Sequence, residues 1–387
     1  MVASFSESVF SVPEFQRRLK AIRETMALRG VDAVLIHQPE HLYYLTGFPG
    51  PGAGYGINQV CIIPMVGEPI TVIRRMEEQA FLRSSWLKER ACWNDGESTT
   101  SILSRVLHER NLDTKRLGLE YDSWALTPAR LNKITTSLPD AEFVDFSNVL
   151  RFQRQQKSTE ELHYIRRACS IAVKALQSGI GMIEPGRTEL DVQKIITATS
   201  LEEGADPRGS LSIVTSGGNL RFVHASASAR VLEKGDLVHM ELAPAVQNYS
   251  GRIMRATCIG KPTEEQAKIA YTLEEAQSEA FAAMKPGAIA GDVDRILRDK
   301  ISQSKIRGEW ETPYDNISGY TLGIIMAPWT SDFSRSFLPE DEWLLEEGMV
   351  FHMYSFAQGI SFSETVLITK SGHELLTKFD RKLFERS

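Results

Sequence analysis

The chain predicts an α+β protein of two domains: a small α/β domain, then a larger one built from paired helices and β-strands. Three observations carry this. The 387 residues suffice for two sizeable cores. The first half alternates short β-branched runs with segments of helical apolar spacing. The second half runs helix, helix, strand, hairpin and then helix, helix, strand, strand, a weak internal repeat at the level of elements.

In the first half, residues 32–36, 60–64 and 70–74 read as strands, and 76–86, 100–110 and 127–138 as helices. Strands at 117–121 and 142–146 complete a domain placed at 1–152, with the second at 153–387. The second domain opens on Ser158 and Glu161, an S-x-x-E capping box that starts a helix at about 159–179. Thr188 caps a second helix over 189–203. A strand at 211–215, a hairpin across 237–259, helices at 264–284 and 290–306, and closing strands at 349–356 and 362–369 follow.

Bulk properties narrow the function. The composition is that of an ordinary globular protein, 42% hydrophobic and 24% charged, with mean hydropathy −0.21. A net charge of −6 with scattered Lys and Arg argues against a nucleic-acid surface or a polybasic membrane patch. No apolar run approaches a membrane span. The N-terminus lacks the basic start and apolar stretch of a signal peptide. Cys61, Cys92, Cys169 and Cys258 are widely spaced without a C-x-x-C. Reduced thiols and a cytoplasmic location are the expectation.

Two segments carry the chemistry, GDLVHMELAPAVQNYSGRIMRA at 235–256 and GMVFHMYSFAQGISFSETVLIT at 348–369. With SGYTLG at 318–323 they resemble the creatinase/methionine-aminopeptidase (M24) family, whose pita-bread fold has a pseudo-two-fold, curved antiparallel sheet. The resemblance extends to EHLYYLTGF at 40–48 in the small, creatinase-N-like domain. In that family two Asp, one His and two Glu hold two divalent ions. Order and spacing carry these places onto Glu241, Arg252, Tyr320, Tyr354 and Glu364.

Such a ligand set cannot serve a metal pair. Two ions bring a charge of about +4 and need oxygen and imidazole ligands. Here two carboxylates remain, Arg252 adds a positive charge, and tyrosine, with a pKa of about 10, is a neutral phenol. No metal or other cofactor is therefore expected. Strand alternation also permits a single-metal site from His239, Glu241, His352 and Glu364; the structural alternative is that these histidines simply hydrogen-bond within the sheet.

The resemblance points to the metal-independent branch of creatinase and ectoine hydrolase, which act on small, nitrogen-rich zwitterions. It implies hydrolysis of a C–N bond in an amidine or amide, with Glu241 as base or nucleophile, Glu364 as second carboxylate and His224, in the loop RFVHASAS, as proton shuttle. The bland readings are ion pairs for Glu241 with Arg252 or Arg255, an ion pair of Glu364 with Arg252, and a structural His224. Arg335 is placed to clamp a substrate carboxylate, unless it is a surface residue. Trp329 would stack on a planar cation, or merely pack. Tyr320, Tyr354, His352 and Arg252 would line the substrate site. The partners implied are a small molecule and a second copy, with no nucleic acid and no membrane. In the homodimer Tyr55, Asn58, Arg74 and Arg75 of one N-terminal domain would cap the other site. The pattern departs from ectoine hydrolase after GYTLG, in IIMAPWTSDFSRS, and at Met254–Ala256, so the substrate is open. An Xaa-Pro dipeptidase with one metal, a lyase like the dimethylsulfoniopropionate-cleaving enzymes, and a non-enzymatic binding module are the other readings.

Overall fold

The computed structural model describes residues 8–51, 58–207, 211–222, 224–307 and 316–387. The chain divides into two compact units, 1–154 with 326–328, and 155–325 with 329–387.

The first unit contains strands β1 (Ala33–Ile36), β2 (Val60–Pro64), β3 (Ile70–Arg74), β4 (Arg90–Trp93), β5 (Arg116–Leu119) and β6 (Glu142–Asp145). They form one mixed sheet in the order β4-β3-β2-β1-β5-β6. Its helices are α1 (Val12–Arg29), α2 (Pro39–Thr46), α3 (Glu78–Ser84), α4 (Thr99–Glu109), α5 (Pro128–Ser137) and α6 (Val149–Gln153). Leu35, Val60 and Val72 pack against Leu103, Val106 and Ile134 of α4 and α5. Helix α1 was not among the expected elements, although Ser11 caps it and Gly30 ends it in the left-handed region. The helix expected at 76–86 shrinks to α3, because the Ser85 hydroxyl accepts from Leu87 N and turns the chain out of the helix.

The second unit begins with α7 (Thr159–Met182), started by the expected box of Ser158 with Glu161, and α8 (Glu189–Glu202), started by the expected Thr188, which the structure completes into a box with Asp191. Strands β7 (Leu211–Ser216), β8 (Leu237–Ala243), β9 (Ala245–Val246), β10 (Tyr249–Ser250) and β11 (Ile253–Ile259) follow. Then come α9 (Glu264–Ala283), α10 (Ala290–Ser304), β12 (Gly319–Thr321), β13 (Val350–Ala357), β14 (Ile360–Ile368), β15 (His373–Leu375) and β16 (Phe384–Arg386). The main sheet is ordered β12-β13-β14-β11-β8-β7 and is antiparallel along that path. Two sets of helix pair plus three strands thus meet at the β14–β11 seam, the pseudo-two-fold layout expected from the element repeat.

Register decides which side chains share a face. Val214, Met240, Leu242 and Ile253 pack on the helical layer with Ala172, Leu176, Val192 and Ile196 of α7 and α8. Phe351, Met353, Phe362 and Val366 pack with Leu273, Phe281, Val293 and Leu297 of α9 and α10. The alternate residues look away from the helices, and that face holds the polar side chains described next.

Candidate active site

Glu241 on β8 stands opposite Met254 on β11, Met254 opposite Ser363 on β14, and Ser363 opposite Tyr354 on β13. One row along, Arg252 joins Thr365 at the start of β11, and Thr365 pairs His352, which pairs Tyr320. Glu241, Arg252, His352, Tyr320 and Tyr354 therefore share one face, with His239 two residues before Glu241 on the same strand.

Arg252 is clamped from both sides. Its N–H donates to Thr365 Oγ1 and its carbonyl accepts from the same hydroxyl, each at 2.8 Å. Gly251 just before it has no room for a side chain: a Cβ there would lie 2.6 Å from the backbone nitrogen of Cys169 on α7. The guanidinium donates from Nε to Glu241 Oε1 at 2.5 Å, pairs with the same oxygen through Nη2, and reaches Thr330 O at 3.2 Å. Its centre lies 5.6 Å from the Tyr320 ring centroid. Burial opposes the guanidinium charge, but Glu241 and the neighbouring phenols outweigh it and its pKa is raised. The ion-pair reading of Glu241 is thus correct for Oε1. Its other oxygen, Oε2, is buried with no hydrogen-bond partner among the described residues.

Glu364 is the principal correction. It pairs Met353 and points to the helix face, opposite to Glu241. There it meets Arg255, not Arg252, at 2.5 Å, and accepts from the Thr377 hydroxyl. Arg255 is fully buried, and its other N–H groups donate to the carbonyls of Met254, Ser363, Phe379 and Asp380 at 2.7–2.8 Å. Burial pushes Glu364 up against the pull of Arg255. This is a closed structural network. The last ligand place falls on Ser363 instead, so of the two expected carboxylates Glu241 alone lies on the site face.

The other expected residues separate as follows. His352 is fully buried and lies between rings, 5.1 Å from Tyr320 edge-on and 5.3 Å from Tyr354 stacked; neither ring nitrogen has a partner among the described residues. Burial, and then Arg252, hold its pKa well below the ordinary value, so it is neutral. Burial raises the Tyr320 phenol far up and takes Tyr354 up to about 12. His239 Nδ1 bonds Ser361 Oγ at 2.5 Å, while Nε2 has no partner among the described residues. Its pKa is lowered by burial, against Glu241, with His224 adding to the lowering. His224 itself is exposed in the turn after β7. Its loop is stapled by buried Glu189, which accepts from N and Oγ of both Ser216 and Ser228 at 2.6–2.9 Å.

Trp329 is partly exposed and joins the site through Phe333, 6.5 Å away, which lies 4.6 Å from Tyr320. Arg335 is not brought to this face. Its backbone pairs Thr321, and its guanidinium lies 5.6 Å over Trp343, which packs on Phe337 and Phe351. In the first unit Arg74 pairs with Asp95 at 2.6 Å and Arg75 with Glu78 at 3.0 Å; Asn58 is half-buried. Tyr55 lies outside the described residues.

The donor set does not fit a metal pair. A guanidinium occupies one of the five ligand places and holds the carboxylate at another, Glu241, and serine and two neutral phenols fill the remaining three. Among the described residues no three His, Cys, Asp or Glu group to hold one ion. Sequence alone missed Ser363; strand parity across SFSET was the signal that could have found it. No helix among the described residues is long and apolar enough to cross a membrane.

Residues 163–370 match the model for Metallopeptidase family M24, and 18–156 that for the Creatinase/Prolidase N-terminal domain. The ectoine hydrolase of Halomonas elongata is 25% identical over 97% of this chain and 98% of its own. The Xaa-Pro dipeptidase of Pyrococcus horikoshii is 29% identical over 95% and 98%. The crystal structure of the prolidase from Pyrococcus horikoshii superposes with a TM-score of 0.81 at 26% identity, covering 95% of this chain and 100% of that one.

Proposed function

The chain belongs to metallopeptidase family M24 and is a hydrolase of that family; from this premise we propose that it works without the metal pair, on a C–N bond of a small zwitterionic amide or amidine. One observation carries the reading: Glu241 is held by Arg252 through Oε1 and offers Oε2, without a partner among the described residues, to the same face as His239 and His352. A carboxylate oriented in this way, with one oxygen left over, is suited to general-base or nucleophilic work. In the simplest sequence Oε2 takes a proton from water as the water oxygen bonds to the substrate carbon. The C–N bond then breaks as the nitrogen receives a proton, for which His224, in the exposed turn after β7, is the proposed carrier. Tyr320, Tyr354 and His352 line the bound group, and Trp329 walls it. A homodimer in which Asn58, Arg74 and Arg75 cap the partner site, and a cytoplasmic setting, belong to the same proposal.

Xaa-Pro dipeptide cleavage is the second reading, favoured by a relative of slightly higher identity than the ectoine hydrolase. Turnover of ectoine, of small acyl-diamino acids and of Xaa-Pro dipeptides, each measured before and after chelation, separates the two. The proposal expects chelator-insensitive cleavage of a non-peptide C–N bond. Dipeptide cleavage that chelation abolishes would overturn it.

A further inference from the structure

We infer that the group seated against Glu241 and His352 is an uncharged amide, not an amidinium, and that Arg252 sets this preference. The inference rests on the small-molecule hydrolase reading and narrows its substrate class.

Among the described residues, the floor of the site is electrically balanced. Glu241 contributes one negative charge and Arg252 one positive, joined at 2.5 Å and both almost fully buried. Around them stand neutral groups: Tyr320 and Tyr354 as phenols, His352 as a neutral ring, Ser363 and Met254. Among the described residues of this floor, a cation added here meets no net negative charge and lies beside a guanidinium already paired with Glu241. In a buried setting, where screening is weak, that repulsion is strong.

The atoms lacking partners among the described residues have the chemistry of a neutral amide's complement. Glu241 Oε2 can only accept, and would take an N–H. The neutral His352 ring has one donor and one acceptor nitrogen, both without partners among the described residues, and the Ser363 hydroxyl adds another donor. An amide has one N–H for the acceptor and one C=O for the donors. An amidinium has only donors, and would leave the donor nitrogen of His352 facing a donor.

Ectoine and its ring-opened hydrate, Nγ-acetyl-2,4-diaminobutyrate, make the test. Both are zwitterions of zero net charge; one carries an amidinium, the other a neutral amide. Binding to the full chain is measured by calorimetry. The amide should bind at least about tenfold more tightly, about 1.4 kcal/mol. Arg252→Met should erase or reverse that ratio; should the variant fail to fold, the wild-type ratio alone decides. Tighter binding of ectoine to the wild type, or no binding of either, overturns the inference. Tight amide binding without turnover upholds it while removing the catalytic reading.

Discussion

At the residue scale, two buried carboxylate–guanidinium pairs back onto the same sheet and do different work. Glu241 keeps one oxygen without a partner among the described residues, whereas both oxygens of Glu364 are occupied. Glu241→Gln should lower stability by about 3 kcal/mol, since it leaves a buried guanidinium without its charge partner, and cut kcat by about 10³-fold. Glu364→Gln should destabilise similarly in a thermal melt, yet keep kcat within a few-fold of wild type below its melting range. A folded but inactive Glu364→Gln protein would return Glu364 to the chemistry. The family resemblance made Glu241, Arg252, Tyr320 and Tyr354 legible, and strand alternation set His352 on the face of Tyr354. It misled at Glu364: moving one position along a strand reverses the face, and only the pairing of β14 with β13 and β11 reveals which residue looks which way. Arg335 was misjudged for the same reason, its backbone pairing with Thr321 turning it towards Trp343.

At the element scale, the caps did what their residues dictate. Ser158 with Glu161 starts α7 and Thr188 starts α8, both read from the sequence, whereas the partner of Thr188, Asp191, came from the structure. Ser158→Ala should cost about 1 kcal/mol of stability, measured by denaturant titration. The loop after β7 is different, since its order comes from a distant residue, Glu189 at the start of α8. Glu189→Ala removes the acceptor of four short hydrogen bonds from Ser216 and Ser228. It should expose the segment 217–227 to limited proteolysis and raise KM more than it lowers kcat. Unchanged protease resistance would show that the loop holds itself. Sequence marked this segment as a loop but named no anchor for it, because a long-range hydrogen bond leaves no local periodicity. Helix α1 was missed although local signals for it stand in the sequence, Ser11 and Pro13 at its start and Gly30 at its end.

At the scale of the whole molecule, the fold keeps a family frame around an altered centre. Buried neutral histidines make that frame acid-sensitive. Below pH 6.5 the unfolded chain protonates the residue at position 352, while the folded chain, whose His352 pKa is well below 6.5, does not. Stability therefore falls as pH falls through this window, by up to about 1.4 kcal/mol per pH unit for this one group. His352→Gln should remove that share of the slope in urea melts between pH 6.5 and 5; an identical slope in both proteins would contradict a neutral His352. The central claim is that an arginine–glutamate pair stands in place of a metal pair. Elemental analysis of protein purified without chelator and then equilibrated with Mn²⁺ and Zn²⁺ tests it most directly. The account predicts less than about a tenth of an equivalent of either metal, given the missing ligand set. One or more equivalents, lost on Glu241→Gln substitution, would contradict it.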